Sequence, residues 1–331
     1  MKATENRTRQ ALPTTASAML ATLTDERFSD PEWLFERKWD GERCLAFRSE
    51  SGEVRLHSRN DQPLERTFPE IAEAVSKECD VAAVLDGEIV AFAGRRTSFE
   101  RLQGRMGLTD SGLERATGIA VYYYVFDVLH LDGYDLRALP LRERKRLLRG
   151  AVHFADPLRF TAHRNTTGEE EFRKACARGD EGVVAKRANS PYTAGRSRDW
   201  LKFKCVHDQE LVIGGYTAPK GSRIGFGALL VGYHEGADFV YAGKVGTGFD
   251  TAVLNDLHAR MQRLEQEKSP FTKGQVRERD VRWVQPQLVA QIGFTEWTRA
   301  GLLRHPRYTG LRTDKNAADV VRERPDQSLR Q

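Results

Sequence analysis

The chain has 331 residues, 40% of them hydrophobic and 30% charged, which suits a soluble globular protein long enough for two domains with separate cores. No apolar run reaches eighteen residues, and the opening MKATENRTRQ has no hydrophobic signal region; a spanning helix is excluded and a cytoplasmic protein expected. The net charge of +5 and pI of about 9.0 favour a polyanionic partner, although only mildly.

Residues 1–30 are polar, with a short apolar patch at 18–23, and are expected to wrap the first domain as a lead-in. Two short apolar runs follow, Trp33 to Phe35 and Cys44 to Phe47, read as strands joined by a hairpin. Between them stand Glu36, Lys38, Asp40, Gly41 and Arg43. Lys38 then lies at a strand end, and a lysine crowded by other cations is a usable amine nucleophile. Gly41 lets the backbone turn or approach a ligand closely. Taken alone, Lys-x-Asp-Gly is equally a solvated turn.

Alternation predicts a strand at 53–57, and the spacing of Phe68, Ile71, Ala72, Val75 and Cys79 predicts a helix. A buried strand is expected at 89–92, preceded by Asp86-Gly87-Glu88. A short helix capped by Ser98 comes next, then an internal strand at 121–129. Helices are predicted at 141–148 and 169–177, and strands at 181–186 and 200–204. Lys202 and Lys204 alternate with Leu201 and Phe203, which puts both lysines on one face of their strand.

Residues 205–209 are read as a linker. Beyond them, short strands at 211–216, 228–233 and 239–244, a helix at 251–265 and further strand-like pieces suit a small β-barrel such as an OB-fold. The four cysteines, at 44, 79, 176 and 205, lack metal-ligand spacing, so neither a zinc site nor a disulfide framework is expected. All four are expected to be reduced. Basic clusters fall at 142–149, on a helix, and at 304–315, in a loop; each is either a solvated face or a grip on a polyanion.

Several short signals occur in a fixed order. These are Lys38-x-Asp40-Gly41-x-Arg43, Ser58-Arg59, Asp86-Gly87-Glu88, Phe126-Asp127, Glu181-Gly182-Val183-Val184-x-Lys186 and Trp200-Leu201-Lys202-x-Lys204. In order and spacing they resemble the nucleotidyltransferase motifs of ATP-dependent DNA ligases. Arg312-Thr313-Asp314-Lys315 resembles the family's last motif, carried on an OB domain. Residues 213–216 and Lys220-Gly221-Ser222-Arg223 are most similar to the ligase domain of bacterial LigD-type end-joining ligases.

The resemblance implies an α+β fold: an adenylation domain with antiparallel sheets over 1–205 and an OB-fold barrel over 206–331. It implies ATP and Mg²⁺ or Mn²⁺ as cofactors. Lys38 would attack the α-phosphorus to give lysyl-AMP, Glu36 would bond the adenine amino group, and Phe126 would stack on the purine. Arg43 and Glu88 would lie near the ribose and the nick phosphate, with Arg59 and Arg196 as further phosphate contacts. Glu181, helped by Glu88, would hold the metal, and Lys202 and Lys204 would touch the α-phosphate. Arg312 and Lys315 would orient the leaving pyrophosphate.

Many relatives carry glycine after Ser-Arg-Asn, where this chain has Asp61, a residue type that tolerates left-handed turns. The implied partner is nicked or broken duplex DNA, with a Ku-type end-binding protein for some relatives. A monomer at the nucleoid, without the added domains of larger ligases, is expected. RNA ligases and capping enzymes share the fold. From another class, a basic DNA-binding module without catalysis is the competing reading.

Overall fold

The computed structural model describes residues 8–325 apart from 107–117, 206, 220 and 222. The first seven residues of the predicted lead-in, Val206 of the predicted linker, and Lys220 and Ser222 of the Lys-Gly-Ser-Arg motif lie outside that set. Contacts divide the chain into two compact units, the first running to Cys205 and taking in the chain again from Arg324, the second ending at Glu323, short of the chain end expected for it.

In chain order the first unit contains β1 (Met19–Leu23), β2 (Trp33–Lys38), β3 (Glu42–Arg48), β4 (Val54–Ser58), α1 (Pro69–Glu78), β5 (Ala83–Ala93), β6 (Arg96–Thr97) and α2 (Phe99–Gln103). It continues with β7 (Val121–Leu131), β8 (Tyr134–Asp135), α3 (Leu141–Ala151), β9 (Leu158–Phe160), β10 (His163–Asn165), α4 (Gly168–Arg178), β11 (Gly182–Arg187) and β12 (Gly195–Lys204). One sheet has the order β1-β12-β11-β2-β10. The other runs β4-β3-β5-β7-β8, with β6 against β5 and β9 against β7. Pairing in both is antiparallel except at β1–β12 and β7–β9.

The expected hairpin at Lys38 does not form, because β2 and β3 belong to different sheets. Residues 39–41 carry the chain from one sheet to the other. Packing also requires Gly41: a Cβ there would lie 2.1 Å from the Ile89 carbonyl oxygen on β5. The apolar patch at 18–23 is itself an edge strand, β1, beside β12.

Alternation along β2, β11 and β12 turns Phe35, Val183, Ala185, Leu201 and Phe203 to one face of their sheet, where Ala175 and Phe172 of α4 cover them. Fully burying each of the larger side chains here contributes about 1.5–3 kcal/mol. The second sheet packs on α1, which begins at Pro69 and buries Ile71 and Val75, and on α2, where the Ser98 side chain caps Arg101 N as expected. Asp86-Gly87-Glu88 lies within the eleven-residue β5 rather than ahead of a strand.

The second unit contains β13 (His207–Thr217), β14 (Leu229–Glu235), β15 (Asp238–Val245), α5 (Thr251–Gln262), β16 (Glu265–Gln266), β17 (Val281–Val284), β18 (Val289–Phe294), β19 (Glu296–Trp297), β20 (Leu303–Arg304) and β21 (Arg307–Leu311). The first half of β13 pairs with β18 and its last three residues with β17, so the sheet curves into an OB-type half-barrel. Asp250 caps α5, which buries Leu254, Leu257 and Met261 in the core. Two expectations fail here. His207, Asp208 and Gln209 form the start of β13 instead of a linker, and Arg307 to Leu311 is strand instead of loop.

The cysteines also depart from expectation. Cys176, on the last turns of α4, is disulfide-bonded to Cys205, just beyond β12, with Cα atoms 5.2 Å apart; Cys44 and Cys79 remain buried thiols. Sequence spacing could not show this, because the packing of α4 on the sheet brings the two ends together. A crosslink between residues separated by 29 positions stabilises by about 3.5 kcal/mol through the entropy of the unfolded chain. Cys205→Ser is expected to lower the unfolding free energy of the first unit by about that much under non-reducing conditions, read by denaturant melts, with no difference from wild type under a reducing dithiol.

Candidate active site

The register of β2, β11 and β12 builds the site row by row. Lys38 stands opposite Gly182 and Gly182 opposite Lys204; Glu36 faces Val184, which faces Lys202; Lys186 is set between Leu34 and Trp200. Directly opposed residues share a face. Glu36, Lys38, Lys186, Lys202 and Lys204 therefore project from the side of the sheet that α4 does not cover. Gly182 sits at φ +151°, and a Cβ on it would lie 1.9 Å from the Phe203 carbonyl oxygen. This row tolerates only glycine, and β11 is thereby drawn close to β12.

Glu181, one residue ahead of Gly182, forms an ion pair through Oε1 with Lys38 Nζ. Its other oxygen, Oε2, is buried and has no hydrogen-bond partner among the described residues. Glu36 is 2% exposed and held on both oxygens, by Lys145 Nζ at 2.5 Å and Lys186 Nζ at 2.7 Å. Burial alone would raise the Glu36 carboxyl, but the two ammonium groups outweigh it and hold the group below its ordinary range. Burial pushes Lys186 down to about 8, against the pull of Glu36.

The second sheet supplies the facing wall. Pairing skips Phe126 on β7, since Asp86 opposes Asp127 and Gly87 opposes Val125. Phe126 is the extra residue of a bulge, a device that re-aims a side chain. Its ring lies under the Arg43 guanidinium at 4.6 Å and the Lys186 ammonium at 4.0 Å, with Trp200 edge-on. Arg43 makes two bonds to the buried Asp86 carboxylate, at 2.6 and 2.7 Å, and Tyr192 donates to the same group. Burial would lower the Arg43 guanidinium, yet Asp86 raises it above its ordinary value. Trp39, in the crossing between sheets, stacks on Tyr124 at 3.7 Å.

Of the residues marked in the sequence, the structure gathers Glu36, Lys38, Glu181, Lys202 and Lys204 on one sheet face. Arg43 and Phe126 are joined to that face by Lys186 and Trp200. Glu88 lies on β5 opposite Arg43. Arg59 sits in the tight turn after β4, where Asp61 takes φ +59° and donates its N–H to the Ser58 carbonyl; aspartate thus fills the left-handed position. Arg196 is exposed, eight residues back along β12 from Lys204 and roughly 25 Å distant on a strand, and donates to the Ala21 carbonyl. It is not part of the gathered group. Arg312 and Lys315 belong to the second unit. There Arg312 grips Asp314 bidentately at 2.7 Å, and Lys315 pairs with Glu210 at 3.3 Å.

The helical basic cluster divides. Arg144 and Lys145 are buried, Arg144 bonding both Asp127 oxygens at 2.8 Å, while Arg142, Arg146 and Arg149 stay at or near the surface. A signal for this was present. Leu141, Arg144, Lys145 and Leu148 have the spacing of one buried helical stripe.

A lysine amine beside a carboxylate, further lysines in register and an aromatic wall, followed by an OB-type barrel, are the parts of a covalent nucleotidyltransferase. The family models agree. Residues 17–204 match the ATP dependent DNA ligase domain, and residues 222–315 the ATP dependent DNA ligase C terminal region. The chain belongs to the ATP-dependent DNA ligases.

It is similar to the multifunctional non-homologous end joining protein LigD of Pseudomonas aeruginosa, 38% identical over 302 residues, covering 89% of this chain and 35% of the relative. LigD of Mycobacterium tuberculosis is 35% identical over 300 residues, covering 88% of this chain and 38% of the relative. The chain thus spans little over a third of these relatives' length. Among solved structures, mycobacterial DNA ligase D complexed with ATP and MES aligns with a TM-score of 0.65 at 33% identity, covering 93% of this chain and 98% of that one.

Position separates roles that charge alone does not. Glu181→Ala should melt near wild type while losing most activity, because it touches the amine rather than the core. Asp127→Ala should lower stability by about 3–5 kcal/mol, since it strands the buried Arg144 guanidinium. Thermal melts beside an adduct assay check both, and an Asp127 variant as stable as wild type would contradict the burial.

Proposed function

We propose that this chain joins 5′-phosphate and 3′-hydroxyl ends at nicks or breaks in duplex DNA, using ATP. One observation carries the reading most: Lys38 Nζ rests on the Glu181 carboxylate, in register with Lys204 across Gly182. Attack requires the neutral amine, and Glu181 Oε1 is placed to take its proton. The bond from Lys38 nitrogen to the α-phosphorus forms as the bond to pyrophosphate breaks. Lys202 and Lys204 share the sheet face of Lys38, and in this reading they would stabilise the negative charge that develops on the α-phosphate. AMP then passes to the 5′-phosphate, and the 3′-hydroxyl displaces it.

The residues also fit a divalent cation, Mg²⁺ or Mn²⁺. Glu181 Oε2 is a buried oxygen without a partner, and no group of three metal-binding side chains occurs among the described residues. An ion of this kind is held by one or two carboxylates, with water and phosphate oxygens completing its shell. When bound, it would supply positive charge beside the triphosphate. Similarity to end-joining ligases extends the proposal to break repair at the nucleoid by a monomer, with a Ku-type end-binding partner. Among the described residues no helix is long and apolar enough to cross a membrane.

Incubation with labelled ATP and Mg²⁺, followed by nicked duplexes of DNA or RNA, tests the reading; a covalent AMP adduct and sealed DNA are expected. Lys38→Ala should abolish the adduct yet still seal a nick supplied already adenylylated, and a normal adduct in this variant would remove Lys38 from its role.

The reading also assigns Arg312 and Lys315 to pyrophosphate, which leaves only in the first step. Arg312 must exchange its Asp314 partner to serve there. Arg312→Ala combined with Lys315→Ala should therefore block adduct formation and spare sealing of the pre-adenylylated nick. Equal loss of both activities would show that the pair grips DNA throughout.

A further inference from the structure

Glu181 stands at the end of a strand ladder. Gly182 opposite Lys204 is the last pair in the register of β11 and β12. One step beyond it, the Cys205 N–H donates to the Glu181 carbonyl at 3.0 Å. On its other side Glu181 follows directly from the C-terminus of α4. There the Gly179 N–H donates to the Cys176 carbonyl at 3.0 Å and the Asp180 N–H to the Ala175 carbonyl at 2.9 Å. Backbone bonds at the ends of helices and ladders are the first to fray.

The Cys176–Cys205 disulfide joins these two ends. The short run from Cys176 to Glu181, the bond from Glu181 to Cys205 and the crosslink together close a ring around the Glu181 backbone. With the crosslink open, nothing covalent keeps Cys205 beside α4, and its bond to Glu181 is an ordinary end-of-strand bond. Both cysteines of the crosslink are partly exposed, whereas Cys44 and Cys79 are fully buried. A reductant therefore reaches the crosslink before the free thiols, and exposed disulfides are the labile, regulatory kind.

We infer that the Cys176–Cys205 disulfide is a positioning element for Glu181 and that its reduction slows the first step, so that adduct formation follows the thiol–disulfide balance around the protein. The inference rests on the reading of Lys38 as nucleophile and Glu181 as its proton acceptor. Reduction takes two exchanges with a dithiol. A thiolate of the dithiol bonds to one cysteine sulfur as the S–S bond breaks and the other cysteine leaves as a thiolate. The second dithiol sulfur then displaces the first cysteine. The protein takes up two electrons and two protons and ends as two thiols, while the dithiol ends as a disulfide. Glu181 is then less firmly held within reach of the Lys38 amine, and a misplacement of about 1 Å costs up to about a hundredfold in rate. Glu36 and Phe126, on β2 and β7, lie outside the ring, so ATP binding should hardly change.

The test uses the full chain, oxidised with diamide or reduced with dithiothreitol and then desalted under nitrogen, with thiols counted in each form. On reduction, kcat for adduct formation with ATP and Mg²⁺ should fall about tenfold while KM for ATP holds, and reoxidation should restore it. Amide hydrogen exchange at residues 179–182 should be faster in the reduced form. Cys176→Ser and Cys205→Ser should each match reduced wild type and respond to neither reagent.

Equal kcat in the two forms, or unchanged exchange at 179–182, would overturn the inference. So would a chain that keeps all four cysteines as thiols after oxidation. A reduced form that loses its near-ultraviolet circular dichroism would overturn it too, since the crosslink would then hold a whole domain and not one residue. The wild-type comparison decides even if the serine variants do not fold. Absence of adduct from both forms would instead overturn the reading of the first step.

Discussion

The crossing of three residues between Lys38 and Glu42 is the constraint on which the site depends. It takes the chain from the end of one sheet to the start of another, and Gly41 permits it because any larger residue would collide with the β5 backbone. A hairpin at this point would have laid Lys38 and Arg43 on one sheet. The crossing instead puts the amine on one wall and the guanidinium on the other, with Trp39 wedged against Tyr124 between them. Lys38 and the Phe126 ring are then carried on the strands of two different sheets, and strands hold geometry better than loops.

The charges around this crossing are mostly buried and paired: Arg43 with Asp86, Arg144 with Asp127, and Glu36 with two lysines. Such pairs add little net stability, since desolvation offsets much of their attraction. Their value here lies in geometry. Removing one partner strands the other, so each pair resists any packing except the one observed. Asp127 fixes α3 through Arg144, and α3 in turn delivers Lys145 to Glu36.

The ordered motifs made the chemistry legible in the sequence, and alternation correctly put Lys202 and Lys204 opposite Leu201 and Phe203. The fold class also followed from them. What stayed hidden depends on contacts between segments distant in the chain. The sheet to which β3 belongs is decided by pairing with β5, forty residues on, and nothing between Lys38 and Arg43 reports it. Cys176 and Cys205 look unrelated until α4 packs on its sheet. Lys145 lay inside what reads as a solvated basic face, although its spacing with Leu141 and Leu148 marked it as inward. His207 to Gln209 carry polar side chains, yet β13 takes them because β18 offers a full ladder of backbone bonds. Asp61 shows the opposite case, a local departure whose tolerance was readable because a left-handed turn depends on one residue's own backbone.

The disulfide acquires meaning from what it encloses. The loop from Cys176 to Cys205 contains Glu181, Lys186, Lys202 and Lys204, which are the carboxylate paired with Lys38, the lysine paired with Glu36 and two lysines on the same sheet face. Within that loop, β11 and β12 are held by their ladder, by Gly182 against Phe203, and by the bond from Cys205 N–H to the Glu181 carbonyl. A slip of one residue between β11 and β12 would turn the lysines into the apolar layer under α4. The crosslink ties α4 to the end of β12, so the helix that covers the apolar face and the strand that presents the lysines are fixed to each other. Burial on one face and charge on the other are thus settled by one register.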